Sequence, residues 1–197
     1  MNDVGIINPM SRINRLGLAA FVAALLATPL VAQSFSDGYT FLKAVRERDG
    51  NVAERILANP SSTAINARDP STGETALHIL VRGRDLNWLA FMLSKGARPD
   101  TPSNDGTTPL ILAAQLGWIE GATQLLIRRA NPNMANRSGE TPLIVAVQRR
   151  DIQMVRLLLG QHANPNQTDN LSGNSAIDYA RQDPRAAQIL RELQQAH

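Results

Sequence analysis

The chain has 197 residues, with 20 Lys or Arg against 17 Asp or Glu and a formal charge of only +3. A hydrophobic share of 43% excludes a disordered tail, and the near-neutral balance leaves no excess of cations for a nucleic-acid binder. The absence of cysteine removes disulfide scaffolds, Cys-ligated zinc, thiol nucleophiles and a lipidated-cysteine anchor, while 4% aromatic residues leave the core to Leu, Ile, Val and Ala.

At the N-terminus, Arg12 and Arg15 precede the apolar run Leu16 to Ala27, then Pro29 and the small-residue stretch Val31-Ala-Gln-Ser34. This is the n-region, h-region and cleavage-site order of a secretory signal peptide. A cut after Ser34 places Ala32 three residues back and suits the small-x-small rule better than a cut after Ala32, where Leu30 takes that place. Both cuts remain open, as do Met1 and Met10 as the start. The rival reading is an uncleaved anchor, since Leu16 to Ser36 runs 21 residues without a charge, although Pro29 interrupts it. Residues 1–34 are read as the signal peptide. The protein is then expected to be periplasmic or secreted, with no stable membrane insertion after cleavage.

The remainder repeats itself. Gly73, Gly106, Gly139 and Gly173 each open the same phrase: Gly-Glu-Thr75-Ala-Leu-His, Gly-Thr-Thr108-Pro-Leu-Ile, Gly-Glu-Thr141-Pro-Leu-Ile and Gly-Asn-Ser175-Ala-Ile-Asp. A second phrase follows at a fixed offset, as in Leu125-Leu-Ile-Arg-Arg-Ala-Asn-Pro-Asn133 and Leu158-Leu-Gly-Gln-His-Ala-Asn-Pro-Asn166. A strict period carrying two fixed phrases is the mark of a solenoid. On these residues the chain resembles the ankyrin-repeat family, whose signature is Thr-Pro-Leu-His-x-Ala. The resemblance covers Tyr39 to about Leu193. It implies an all-α ankyrin-repeat solenoid of helix-turn-helix units with protruding β-hairpin-like loops. A degenerate N-terminal capping repeat would occupy 35–69, regular repeats 70–102, 103–135 and 136–169, and a C-terminal capping repeat 170–197.

One unit can be read without the family. Thr75, Thr108, Thr141 and Ser175 are placed to N-cap a short helix, and Pro109 and Pro142 fall at its first position, where a missing N–H is no loss. Ala113, Ala146 and Ala180 let neighbouring helices approach closely. A second helix brings Val155, Leu158 and Leu159 onto the first at i, i+3 and i+4 spacing, and Asn-Pro-Asn turns the chain out of the stack. The residue closing the second helix is Gly96 in one unit but Arg129 and His162 in the next two, so a left-handed backbone is expected at both. Trp88 and Gly121 share a register in adjacent units, which suggests that one compensates for the size of the other. Arg185, Gln188, Arg191 and Glu192 give the last helix the polar outer face of a cap.

No catalytic residue, cofactor or metal is expected. His78 stands in the family phrase, where the resemblance implies a hydrogen bond to backbone between repeats. His162 and His197 lack a metal-ligand spacing. The recurring pairs Arg48-Asp49, Arg84-Asp85 and Arg150-Asp151 fall on the turn between helices and are read as solvated, with a structural or solubilising part and not as an acid-base array. What remains is a surface for another macromolecule, and in ankyrin arrays that surface is the concave groove of first helices and loop tips.

By register the groove holds Arg46, Arg82, Gln115, Leu116, Gln148 and Arg149 from the helices. The tips contribute Glu74, Asn104, Asp105, Thr107, Arg137 and Glu140. Four arginines (46, 82, 137, 149) face four carboxylates (Glu47, Glu74, Asp105, Glu140), so the groove is no track for nucleic acid. Leu116 and Trp118 form either an apolar anchor or, for Trp118, a ring folded over the helix turn. The expected function is a monomeric, non-catalytic adaptor, stabiliser or inhibitor of another envelope protein. A secreted effector acting on another cell is the alternative, and a periplasmic enzyme or metal carrier the rival from a different class.

Overall fold

The computed structural model describes residues 37–195, so the leader reading at 1–34 lies outside the described residues. Helices come in pairs: α1 (37–47) with α2 (Gly50–Leu57), α3 (Ala76–Arg82) with α4 (Leu86–Ser94), and α5 (Pro109–Leu116) with α6 (Ile119–Ile127). Next come α7 (Pro142–Gln148) with α8 (Ile152–Leu159), then α9 (Ala176–Gln182) with α10 (Ala187–Gln195). The first helices stack as α3, α5, α7 and α9, and the second helices as α4, α6, α8 and α10, giving two parallel layers. Among the described residues there is no strand. The expected hairpin-like loops are turns, with one isolated bridge between Thr168 and Ser175.

Local chemistry starts each helix. The hydroxyls of Thr108 and Thr141 accept from the backbone N–H of Ile111 and Ile144, each at 3.2 Å, with Pro109 and Pro142 opening the helices. Ser175 and Asp178 form a reciprocal capping box on α9. The second helices are capped by Asp49, Asp85 and Asp151, whose carboxylates accept from Val52, Trp88 and Met154 N–H at 3.0–3.1 Å. The residue before each cap is left-handed: Arg48, Arg84 and Arg150 at φ 57°, 50° and 57°, and Gly117 at 63° in the remaining regular unit.

The core is aliphatic, with Leu77, Leu110, Ile111, Leu125, Leu143, Ile144 and Leu158 fully buried and Ala113, Ala146 and Ala180 sealed between helices. Arg129 and His162 hold φ of 64° and 62°, as their register requires. The expected exchange of size between Trp88 and Gly121 is corrected. A Cβ on Gly121 would lie 2.0 Å from Cε3 of Trp118, so Gly121 makes room for the ring three residues earlier in its own unit. Trp88 instead lies near Gly50. In the last unit Arg185 belongs to a 3₁₀ turn (Pro184–Ala186), and Glu192 reaches back to Arg156 of α8 at 2.7 Å.

Neighbouring units are joined polar group to polar group. At the tips, backbone N–H groups of Asn104, Arg137 and Asn170 donate to the carbonyls of Thr72, Asp105 and Ser138 at 2.8–3.1 Å. A Cβ on Gly73, Gly106 or Gly139 would come within 2.4–2.6 Å of the following unit, whereas one on Gly173 would meet nothing within 4 Å. Three of these glycines are therefore required by close approach as well as by positive φ, and the last by φ alone. At the loop bases, side-chain oxygens of Asn66, Asp100 and Asn133 accept from the backbone of Arg98, Asn131 and Asn164 at 2.7–2.9 Å.

Candidate binding groove

The turn arginines are clasps. Arg48 Nε donates to Asp85 Oδ2 at 2.8 Å, Arg84 to the Leu116 carbonyl at 2.6 Å, and Arg150 Nε to Asp183 Oδ2 at 2.5 Å. Each reaches the next unit. The arginines stay exposed, as expected of solvated turn residues, and have a structural part as well: the side-chain bond offsets the left-handed backbone that Arg must adopt there. The signal in the sequence was Gly117 at the same register, since Gly in one copy marks a position that needs positive φ.

His78 is 1% exposed. Its Nδ1 lies 3.1 Å from the backbone N–H of Thr75 and must accept, so Nε2 carries the proton and donates to the Thr107 carbonyl at 2.9 Å in the next unit. Burial pushes its pKa below the ordinary histidine value and keeps the ring neutral. The family resemblance implies this role for His78.

Along the first helices, three clefts adjoin one another. The first, about 550 Å³, is lined by Tyr39, Leu42 and Arg46 of α1 and by the loop 62–70. The second shares Arg46 with it and adds Glu74 and Arg82, and the third shares Glu74 and Arg82 and adds Asp105, Thr107 and Gln115. These shared residues make a continuous depression across the first three units.

The structure sorts the groove candidates. Arg46, Arg82, Asn104, Asp105, Arg137, Gln148 and Arg149 are exposed, and Glu74, Gln115, Leu116 and Glu140 are half-buried. Two expectations are corrected. Of the two readings of Trp118 the anchor falls and the folded ring stands: Trp118 is 5% exposed and covers Gly121 of its own helix. Thr107 is 7% exposed, its carbonyl held by His78 and Ser103 and its hydroxyl by Asp105.

The neutral charge count also has a finer grain. Arg46 pairs with Asp69 at 2.6 Å, a residue missing from the sequence-derived groove, and Arg82 pairs with Glu74. The Ser71 hydroxyl and then the Arg46 guanidinium hold the Asp69 carboxyl well below the usual carboxylate range. The Ser103 hydroxyl lowers Asp105 likewise, and Glu140 is held by the Asn136 amide at 2.8 Å. Among the described residues no carboxylate lies within pairing distance of Arg137 or Arg149.

Models of ankyrin repeats match residues 41–136, in a three-copy form, and 126–180, in a many-copy form. The chain is an ankyrin-repeat protein. It is 33% identical over 90 residues to the oxysterol-binding protein homolog 1 of Saccharomyces cerevisiae, a match that takes in 44% of this chain and 8% of that protein. The chain thus spans a small part of that relative. Ankyrin-repeat domains are generally non-catalytic modules that bind other proteins. Among the described residues of this array no group of three or more His, Asp or Glu is arranged to hold a metal ion. None of its helices there is long and apolar enough to cross a membrane.

Proposed function

We propose that this ankyrin array is exported and acts in the cell envelope as a non-catalytic adaptor, stabiliser or inhibitor that seats one partner protein in its concave groove. The observation that carries the reading is the unbroken run of clefts sharing Arg46, Glu74 and Arg82 along the first helices. Its residues are rigidly held, because the loop tips are bonded to one another through their backbones and the helices are capped. A preorganised surface loses little entropy on binding. Export rests on the leader pattern at 1–34.

The test joins two measurements. Mass spectrometry of the protein recovered from the periplasmic fraction should show a mature N-terminus at Phe35 or Gln33. A Gln115→Lys, Gln148→Glu double variant, whose positions lie outside the buried core, should lose the protein that the wild type captures from that fraction. Equal capture by the double variant would place the binding surface elsewhere, and an unprocessed N-terminus in the cytoplasm would remove the envelope from the account.

A further inference from the structure

The widest of the three clefts lies in the first unit, where stacking does not need it. A terminal unit of a solenoid requires a polar outer face. Here the unit keeps an apolar hollow of about 550 Å³ open to solvent, within the range of functional sites. Its floor is Leu42 and Ile65. Tyr39 stands at its mouth, 64% exposed, where an aromatic ring covers area for a partner at small entropic loss.

The charge around this floor is one-sided. Arg46, Arg68 and Arg98 line the cleft against a single carboxylate, Asp69, a balance of +2. Arg46 is occupied by Asp69, and Arg68 Nε donates to the Gly73 carbonyl at 3.2 Å. The Arg98 guanidinium has no partner among the described residues, although its backbone N–H is fixed by Asn66 at 2.8 Å. An anchored loop therefore holds an unspent cation at the rim of an apolar hollow.

We propose that this cleft is an anchor pocket at the N-terminal end of the groove, taking a bulky apolar side chain of the partner protein that carries a carboxylate beside it for Arg98. The inference rests on the groove reading and gives the chemistry of one end of it. Arg46 belongs to this cleft and to the next, so a segment lying along the groove enters the pocket without leaving the surface. A buried apolar anchor with a charged neighbour is the pattern of an interface hot spot.

The probes are two blocked tetrapeptides, acetyl-Gly-Phe-Asp-Gly-amide and acetyl-Gly-Asp-Phe-Gly-amide, their Asn counterparts, and 4-phenylbutyrate as a free small acid. They are titrated into the 15N-labelled protein. At least one Asp peptide should shift the backbone signals of Gly38, Ala64 and Ala67 and bind about threefold more tightly than its Asn counterpart, the margin of one part-exposed charge pair. That margin should vanish in Arg98→Ala, a change at an exposed loop residue.

Equal binding of Asp and Asn peptides, or shifts confined to other units, would overturn the proposal. Tighter binding of 4-phenylbutyrate than of either peptide would overturn it too, by making the pocket one for free acids. The two readings fail separately. Absent peptide shifts with capture still sensitive to the Gln115→Lys, Gln148→Glu change would remove the pocket alone, while unchanged capture by that variant would remove the groove reading.

Discussion

Among the described residues, five that are not glycine sit in the left-handed region, and they divide into two kinds. Arg129 and His162 close their helices with side chains that make no hydrogen bond or ion pair among the described residues. Arg48, Arg84 and Arg150 have nearly the same φ but clasp the next unit. Glycine at such a position relieves about 1–2 kcal/mol of backbone strain, less about 0.4–1 kcal/mol for the extra freedom it gives the unfolded chain. Arg129→Gly and His162→Gly should therefore each stabilise the protein by about 0.5–1 kcal/mol, raising Tm by about 1–4 °C for a chain of this size. Arg150→Gly gains the same relief but loses its bond to Asp183, about 0.2–1 kcal/mol for a part-exposed pair, so its net effect should lie near zero. Urea and thermal unfolding followed by circular dichroism read all three. If Arg150→Gly stabilises as much as Arg129→Gly, the clasp contributes nothing; if Arg129→Gly lowers Tm, the strain argument itself fails.

Three further outcomes follow from the same packing. Gly106→Ala should destabilise by about 2–4 kcal/mol and Gly173→Ala by only about 1 kcal/mol, because only the former adds a clash, 2.6 Å from the Arg137 nitrogen, to the strain of positive φ; equal losses in urea titrations would mean that the tips do not pack as described. Stability should fall as pH drops through about 6.5, because the unfolded chain protonates His78 near that ordinary value while burial lowers the affinity of the folded ring for the proton. The slope approaches at most about 1.4 kcal/mol per pH unit. Carboxylates such as Asp169, drawn down to about 2 chiefly by the Tyr179 hydroxyl, lose their contribution as pH falls from 3.8 toward 2, below this window, and a flat profile near pH 6.5 would contradict the burial of His78. Gly121→Ala in a Trp88→Phe background should shift the fluorescence of Trp118 to the red, since the added methyl displaces the ring into solvent, and an unmoved spectrum would show that the ring is held elsewhere.

Much of the fold was legible because the sequence states it several times over. A cap such as Thr108 or Thr141 is identified by its copies, and the positive φ of Arg129 was visible only because Gly96 shares its register. What the repeats left hidden was contact between units. The partner of Arg150 is hidden until Asp183, 33 residues on, is brought within 2.5 Å. Trp118 could be read either as a binding anchor or as a ring folded over the helix turn, because its register is visible in sequence while the hollow left by Gly121, which decides for the second, is not. The groove charges could be counted but not paired, since Asp69 enters the groove only through the fold of the first loop. The first cleft had no sequence signal, because it is built from an irregular unit and an arginine of the next one.

The most direct test of the central claim, that this ankyrin array takes a protein in its groove, is site-specific photocrosslinking in the native compartment. A photoreactive residue at Gln115 or Gln148 should yield an adduct with one and the same protein. The same probe at Gln153 or Arg191, on exposed positions of the second helices, should yield none. Identical adducts from both faces, or adducts from the second helices alone, would contradict the account.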